Sequence, residues 1–333
     1  MQKIFTIALA SVLMLIACNK EQSIFDGPSL VDIYGEFFIV TPLAVSTNTV
    51  DFSAGQSIVC TAEFSKNVNW KLEITGSQSN AKYVVEGFSR TLDASNAKWD
   101  GSATVLPMFR SEPCEVMLTV LNETDTMLAD VVVAGTKPVN GFILSDFESG
   151  WNPGWGSFVQ SGADMSFLIK EGNAGQGSKY YDMGGEVNWD WLIGLIDIPA
   201  TAYGAATFPL NSNPNNVFFN VLLAKIPSIT NALVLFQFRE DDNGDGSYSA
   251  GLEDLFSLEV RLTDSDGWQL VSNRYADMPT LINGAPADPI GNGIHEPQKL
   301  HMVSVLMLAN PTSGYSQAFM DLMVFTENAA LKP

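Results

Sequence analysis

Apolar and polar residues alternate in short segments along most of the chain after residue 35. The clearest case is the segment 256–262, where Phe256, Leu258, Val260 and Leu262 are separated by polar residues. This period of two is typical of a strand with one buried face. Comparable segments rich in Val, Ile, Phe, Thr and Tyr are separated by Gly, Asn, Asp, Pro and Ser, as in sandwiches and barrels. The sequence therefore predicts an all-β protein.

The segment 135–141, GTKPVNG, interrupts this series with two glycines and a proline between apolar runs. Such a composition is typical of a linker, and the length of the chain favours two domains. Placing the boundary at Val139 gives a first β domain over 35–138 and a larger one over 139–333.

The first residues of the chain predict a leader peptide. Lys3 is followed by an uncharged apolar run over 4–16, which is too short to span a bilayer and has the length of a signal-peptide core. The run ends in Leu-Ile-Ala-Cys18, which resembles the lipobox of bacterial lipoproteins. That resemblance implies removal of residues 1–17, acylation of Cys18 and a flexible tether over 18–34. An ordinary secretory signal with a chance cysteine is the alternative.

Charge excludes one class of partner. The chain has 17 Lys and Arg against 37 Asp and Glu, a formal charge of −20. Nucleic-acid binding needs a basic footprint, so it is not expected, whereas divalent cations are attracted. Hydrophobic residues make up 46% of the chain, enough for a packed core rather than a disordered acidic tail.

Two further cysteines, Cys60 and Cys114, form an even pair in an oxidising compartment. The sequence is consistent both with a disulfide between them and with two buried free thiols. Cys60 precedes Trp70 by ten residues, and Cys114 lies well beyond. This layout resembles immunoglobulin sandwiches, and the AKWDG segment at 97–101 is similar to bacterial surface Ig-like modules. The resemblance implies an N-terminal Ig-like β-sandwich that acts as a spacer.

The second domain opens with GFILSDFESGWNPGW from residue 141 and ends with GYSQAFMDLMVFTE from residue 314. With GWQLVSNRYADM at 267–278 between them, this order resembles carbohydrate-binding modules of the galactose-binding-like jelly-roll type. The whole chain resembles Bacteroidetes cell-surface glycan-binding lipoproteins. The resemblance implies non-catalytic binding of a glycan, a lipid anchor in the outer membrane with the domains outside the cell, and partner proteins of a glycan-uptake system.

Candidate sugar contacts are aromatic rings, which stack on the CH faces of sugars, and polar side chains that bind hydroxyls. Trp151 and Trp155 lie among Gly and Pro and are expected in an exposed loop. Trp189 and Trp191 would share one strand face, with core packing of at least one as the alternative. The predicted contacts are Trp151, Trp155, Trp189, Trp191, Asn188 and Arg239.

The segment DDNGDG at 241–246 resembles a calcium loop, because three of its residues match the first, third and fifth positions of an EF-hand. Strand-like segments flank it, and Leu252 stands where the bidentate glutamate belongs, so an EF-hand is excluded. Crowded carboxylates favour either a structural Ca²⁺ or a solvated turn. The candidate ligands are Asp241, Asn243, Asp245, Glu253 and Asp254.

A second cation site comes from the jelly-roll resemblance, which implies a calcium ion between the first and last strands. The matching residues are Asp146 or Glu148 in the first strand region and Asp321 in the last strand. The alternative is that Asp321 only lies at a strand edge.

The sequence does not contain a nucleophile elbow, a P-loop or a dinucleotide-binding motif. His295 and His301 do not have the spacing of a zinc helix, and Pro297 would break one. An enzyme is therefore not expected. A structural or protein-interaction subunit of the cell surface is the second hypothesis, and a glycoside-active enzyme is the third.

Overall fold

The computed structural model describes residues 35–188, 191–229, 232–262, 267–282, 284–309 and 314–333. Cys18, the leader and the tether lie outside these residues, as does Trp189. The described residues form twenty β-strands and five short 3-10 turns, so the all-β prediction is confirmed. Among these ranges, no helix has the length and apolar character needed to cross a bilayer.

Seven strands build the first sheet, in the order β1-β3-β6-β7-β2, with β4 and β5 also paired to β3. Their bounds are β1 Ile39–Val45, β2 Thr49–Asp51, β3 Ile58–Gly76, β4 Lys82–Leu92, β5 Lys98–Trp99, β6 Pro113–Val120 and β7 Thr126–Gly135. The long β3 bends at a register shift between Glu63 and Val68. Its alternate residues therefore pack into one core on both sides of the bend, around Trp70 and Trp99.

Cys60 and Cys114 are both buried free thiols. Cys114, on β6, lies opposite Gly76, at the end of β3 that is distant from Cys60. Burial raises the pKa of the Cys60 thiol to about 11 and that of Cys114 to about 12. Of the two possibilities left open by the sequence, the structure has the free thiols.

The second half of the chain forms two larger sheets and one small hairpin. The bounds are β8 Phe142–Ser145, β9 Gly156–Val159, β10 Asp164–Glu171, β11 Lys179–Val187, β12 Leu192–Pro199, β13 Val217–Ala224, β14 Leu233–Glu240, β15 Leu255–Arg261, β16 Gln269–Arg274, β17 Leu281–Ile282, β18 Ala285–Pro286, β19 Leu300–Leu308 and β20 Gly314–Glu327. The 3-10 turns are Phe52–Ala54, Ala200–Tyr203, Pro214–Asn216, Tyr275–Asp277 and Pro297–Lys299.

A six-stranded sheet (β10-β11-β20-β13-β16, with β8 on β20) and a five-stranded sheet (β15-β14-β19-β12-β9) contribute to a single core. All of their strand pairs are antiparallel, and the first strand, β8, pairs with the last, β20. Phe219 from one sheet packs against Phe236 and Phe238 from the other, with ring centroids 5.0 Å apart in both pairs. This is the β-sandwich that the jelly-roll prediction requires.

The outer side of the six-stranded sheet contacts the first sheet's domain. Leu222, Leu322 and Val324 form an apolar cluster with Met108. The backbone N–H of Met108 donates to the carbonyl of Gly175 at 2.8 Å. This outer face is therefore partly covered.

Candidate ligand-binding face and acidic loops

The tryptophans at the start of the second domain do not form an exposed loop. Trp155 is only 8% exposed, and its ring contacts Phe147 and Trp151 at centroid distances of 6.1 and 5.3 Å. Trp151 is half-buried and packs against Tyr181 at 5.9 Å. The predicted exposure of Trp155 is wrong because two tight turns fold this segment back over the edge of the core, closed by Gly150 N–H to Phe147 and Trp155 N–H to Asn152.

Trp151 still reaches the surface. It lines an open cavity of about 370 Å³ together with Asp146 and Asn152. Asn188 is exposed, and Trp191 is 36% exposed just before β12. The structure therefore leaves Trp151, Trp191 and Asn188 accessible but does not show them converging on one site.

Arg239 lies on the open side of the five-stranded sheet. Val234, Phe236 and Phe238 of β14 pack into the core. Because side chains alternate along a strand, Gln237 and Arg239 lie on the opposite, outer face. Strand pairing then aligns four polar residues of neighbouring strands across this outer face. This polar row consists of Asp197, Ser304, Gln237 and Ser257.

The Arg239 guanidinium extends along the polar row. Its Nη1 is 3.6 Å from Asp197 Oδ1, and its Nη2 is 3.4 Å from Gln237 Oε1. Its Cζ lies 5.6 Å from the ring centroid of Tyr248, a distance typical of a cation–π contact. Nε is buried and has no partner among the described residues. The side chain is thus oriented by its neighbours and keeps an unused donor.

The same face has an apolar half and an open half. Leu233, Leu235 and Leu306 are buried in a cluster that includes Leu281 of the β17–β18 hairpin. In the polar row Ser257 and Ser304 are buried, whereas Asp197 and Gln237 are half-exposed, and Phe158 on the edge strand β9 is 48% exposed. We call the open half, which consists of Asp197, Gln237, Arg239, Tyr248, Met302 and Phe158, the polar face.

Of these residues, only Arg239 was predicted from the sequence. Phe158, Asp197 and Met302 come from β9, β12 and β19, which are distant along the chain and meet only through sheet pairing. Gln237 and Tyr248 are close to Arg239 in sequence, on β14 and in the acidic loop that follows it. Gln237 could have been found from the sequence, because it is a polar residue on the same strand face as Arg239 in the segment LVLFQFRE.

The acidic loop between β14 and β15 is closed by its own carboxylates. Asp241 is buried and accepts the backbone N–H groups of Gly244, Asp245 and Gly246 at 2.8, 3.1 and 2.8 Å. Glu253, which is also buried, accepts from Asn243 N–H at 3.2 Å and from Ser249 N–H at 2.6 Å. Such bonds satisfy the carboxylates and hold the turn.

The other three predicted ligands have different partners. Asp254 accepts from Gly291 and Gly293 N–H at 2.9 and 2.7 Å, which ties the loop to the segment before β19. Asp245 and Asn243 are exposed and bond to each other at 3.2 Å. The predicted ligands thus bind several different backbone groups, and calcium binding by this set stays a prediction.

Asp321 and Glu148 hold one turn at 174–179. Asp321 is fully buried and accepts from the N–H groups of Gln176 and Leu322 at 2.8 and 2.7 Å. Glu148 accepts from the N–H groups of Ser178 and Lys179 at 2.6 and 2.7 Å. Gln176 Oε1 is buried and has no partner within the described ranges.

Asp146 lies two residues before Glu148 in the sequence, and its Oδ1 accepts a hydrogen bond from Glu148 N–H at 3.1 Å. Burial, which removes water from the carboxylate, raises the pKa of Asp321 to about 8. An orphaned amide oxygen and a buried carboxylate beside this turn are compatible with an oxygen-coordinated cation.

This pKa makes stability depend on pH when cations are removed by a chelator. An unfolded aspartate has a pKa near 4, so between about pH 4 and 8 the folded chain holds a proton at Asp321 that the unfolded chain does not. The free energy of unfolding therefore falls as pH rises through this window. Glu240, whose pKa burial raises to about 8, contributes in the same direction.

We therefore expect the free energy of unfolding of the wild-type protein to be higher, relative to that of Asp321→Asn, at pH 5 than at pH 8. Urea unfolding in chelator at both pH values measures this difference. A difference that is equal at the two pH values would show that Asp321 is ionised throughout.

Comparisons with known proteins do not assign a family to this chain. No protein-family model matches the chain, and no curated protein matches it. Among solved structures, a family 11 carbohydrate-binding module of a Clostridium thermocellum cellulase has 15% identity and a TM-score of 0.38, covering 57% of this chain and 96% of its own. SGBP-B from a xyloglucan utilization locus of Bacteroides uniformis has 12% identity and a TM-score of 0.31, covering 86% and 72%. A CBM22 tandem of Paenibacillus barcinonensis Xyn10C has 8% identity and a TM-score of 0.33, covering 87% and 93%.

Proposed function

We propose that this protein is a lipid-anchored surface protein whose second domain binds an oligosaccharide or polysaccharide without cleaving it. The observation that carries the proposal is the Arg239 guanidinium, which Asp197, Gln237 and Tyr248 orient among half-exposed side chains on the outer face of the five-stranded sheet. Planar polar groups beside an aromatic ring are what a sugar needs, since it offers hydroxyls at its rim and CH groups on its faces.

The polar face supplies both kinds of contact. Asp197 and Gln237 can accept hydroxyl protons, and the guanidinium donates from a fixed planar fork. The Tyr248 ring beside Arg239 supplies apolar surface, and Phe158 adds an exposed ring at the β9 edge of the same sheet. Because the chain carries a formal charge of −20, a neutral glycan fits better than an acidic one, which would be repelled.

The test uses purified protein carrying Cys18→Ser, which removes the predicted acylation site. A broad glycan array identifies a ligand, calorimetry measures its affinity at low and high salt, and a reducing-end assay follows hydrolysis. Salt-independent binding with constant reducing ends supports the proposal. Newly formed reducing ends would indicate an enzyme instead. An array without signals over plant, host and microbial glycans would favour the protein-interaction hypothesis.

The lipid anchor is a separate part of the proposal. It is supported by the lipobox-like Leu-Ile-Ala-Cys18 junction after an uncharged apolar run. We expect Cys18→Ser to move the protein from the membrane fraction to the soluble fraction, because a removed acyl chain cannot insert into lipid. Asn19→Ala, which keeps the cysteine, serves as the control. Unchanged membrane association of Cys18→Ser would exclude the lipoprotein assignment.

A structural calcium ion at Asp146, Glu148 and Asp321 is also proposed, on the support of the orphaned Gln176 Oε1 beside them. Its role would be to stabilise the joint between the first and last strands of the second domain. Loss of a calcium-induced rise in melting temperature in Asp321→Asn would support this placement.

A further inference from the structure

A different acidic cluster lies where β14 runs into the acidic loop. It consists of Glu240 at the end of β14, Asp242 in the loop, and Glu296 before β19. One carboxylate oxygen from each residue lies within 4.8 Å of the other two. None of these three residues belongs to the calcium-ligand sets considered above.

Glu240 provides the observation that points to a ligand. The residue is wholly buried, and its Oε1 accepts from the Tyr275 hydroxyl at 2.8 Å and from Glu296 N–H at 2.9 Å. Its Oε2 is buried without a hydrogen-bond partner in the described part of the chain. A buried carboxylate oxygen without a partner is costly unless something binds it.

The other two carboxylates are anchored but not neutralised. Asp242 Oδ2 accepts from Asp254 N–H at 2.9 Å, and Asp242 Oδ1 accepts from Asn292 Nδ2 at 3.3 Å. Glu296 Oε2 accepts from Lys299 Nζ at 2.6 Å. Lys299 supplies one positive charge against three carboxylates, so a cation that displaces the proton of Glu240 meets two remaining negative charges.

A second orphaned oxygen lies beside the cluster. Gln298 Oε1 is buried without a partner among the described residues, and the Nε2 of the same amide is 3.5 Å from Glu296 Oε1. The potential metal-ligand atoms of these residues are thus oxygens, from three carboxylates and an adjacent amide.

We infer that Glu240, Asp242 and Glu296 bind a divalent cation, and that this cation is calcium. An all-oxygen donor set selects a hard cation, and the remaining charge of the cluster matches two positive charges. Oxygens on opposite sides of a calcium ion are about 4.6–5.2 Å apart, against about 4.2 Å for magnesium. One oxygen from each of the three residues lies within 4.8 Å of the other two, so a single ion can contact all three, and calcium accepts such an irregular set better than magnesium, which demands a near-ideal octahedron.

The ion would join β14, the acidic loop and the segment before β19. Arg239 directly precedes Glu240, and Tyr248 belongs to the loop that Asp242 begins. The cation therefore positions one side of the polar face. The inference does not depend on what that face binds, because it concerns cation binding alone.

The experiment counts calcium ions on full-length Cys18→Ser protein after chelation, by calorimetry with CaCl₂. Terbium luminescence, sensitised by Tyr275 or Tyr248, is the second readout. We expect Glu240→Gln to lose one site, with at least a tenfold loss of affinity at that site, the scale seen when metal-site partners are altered. Glu296→Gln should lose the same site, because both residues contribute to it.

Asp288→Asn changes an exposed carboxylate before β19 that belongs to none of the ligand sets, so it is the matched control and should keep the site. If Glu240→Gln fails to fold, the half-exposed Asp242 allows Asp242→Asn to make the same measurement. Wild-type stoichiometry and affinity in Glu240→Gln or Asp242→Asn would overturn the inference, as would a wild-type protein that binds no calcium. Equal binding of MgCl₂ would overturn the choice of calcium.

Discussion

Replacement of Arg239 by alanine is expected to weaken glycan binding by roughly 10- to 140-fold. A hydrogen bond that involves a charged group contributes ~1.5–3 kcal/mol, which corresponds to that range of affinity. Calorimetry with the glycan identified on the array measures the change.

Two variants separate a lost contact from a general change of charge. Arg261→Ala removes an arginine from β15 of the same sheet, where it is 58% exposed and paired with Glu259 at 2.8 Å. It should bind like wild type. Arg239→Lys keeps the charge but loses the planar fork, and should bind weakly. If Arg239→Ala and Arg261→Ala bind equally well, the polar face is not the binding site.

Trp155→Ala is expected to lower the free energy of unfolding by about 3–5 kcal/mol, the usual cost of truncating a buried tryptophan. The indole lies between Phe147 and Trp151 and closes the edge of the core. Its removal opens a cavity that the surrounding rings cannot fill. Guanidinium unfolding followed by far-UV circular dichroism measures the loss.

Phe158→Ala is the matched control, because it also truncates an aromatic residue in the second domain. Phe158 is 48% exposed on an edge strand, so we expect a loss of about 1 kcal/mol or less. A Trp155→Ala protein as stable as wild type would contradict the buried position and restore Trp155 as a candidate sugar contact. A strong loss of stability would mean that a binding defect in this variant reports folding, not a ligand contact.

Local patterns in the sequence were sufficient for the fold class and for the rejection of an EF-hand. Side chains of a strand alternate between two faces, so the series from Phe256 to Leu262 predicts β15 and its buried face without reference to any distant residue. The strand character on both sides of DDNGDG follows in the same way, and β14 and β15 flank the loop in the structure.

The tertiary structure decided which of the candidate residues come together. Trp155 looks like a loop residue because Gly and Pro surround it, yet the burial of a ring depends on what the chain brings over it, and here that is Phe147 and Trp151. Arg239 is visible in the sequence, but its partner Asp197 comes from another strand of the sheet. Glu240 and Glu296 are likewise far apart along the chain and meet only when β14 pairs with β19. Alternation specifies the face on which a residue lies, whereas the residue across from it is set by strand order and register, which are properties of the whole sheet.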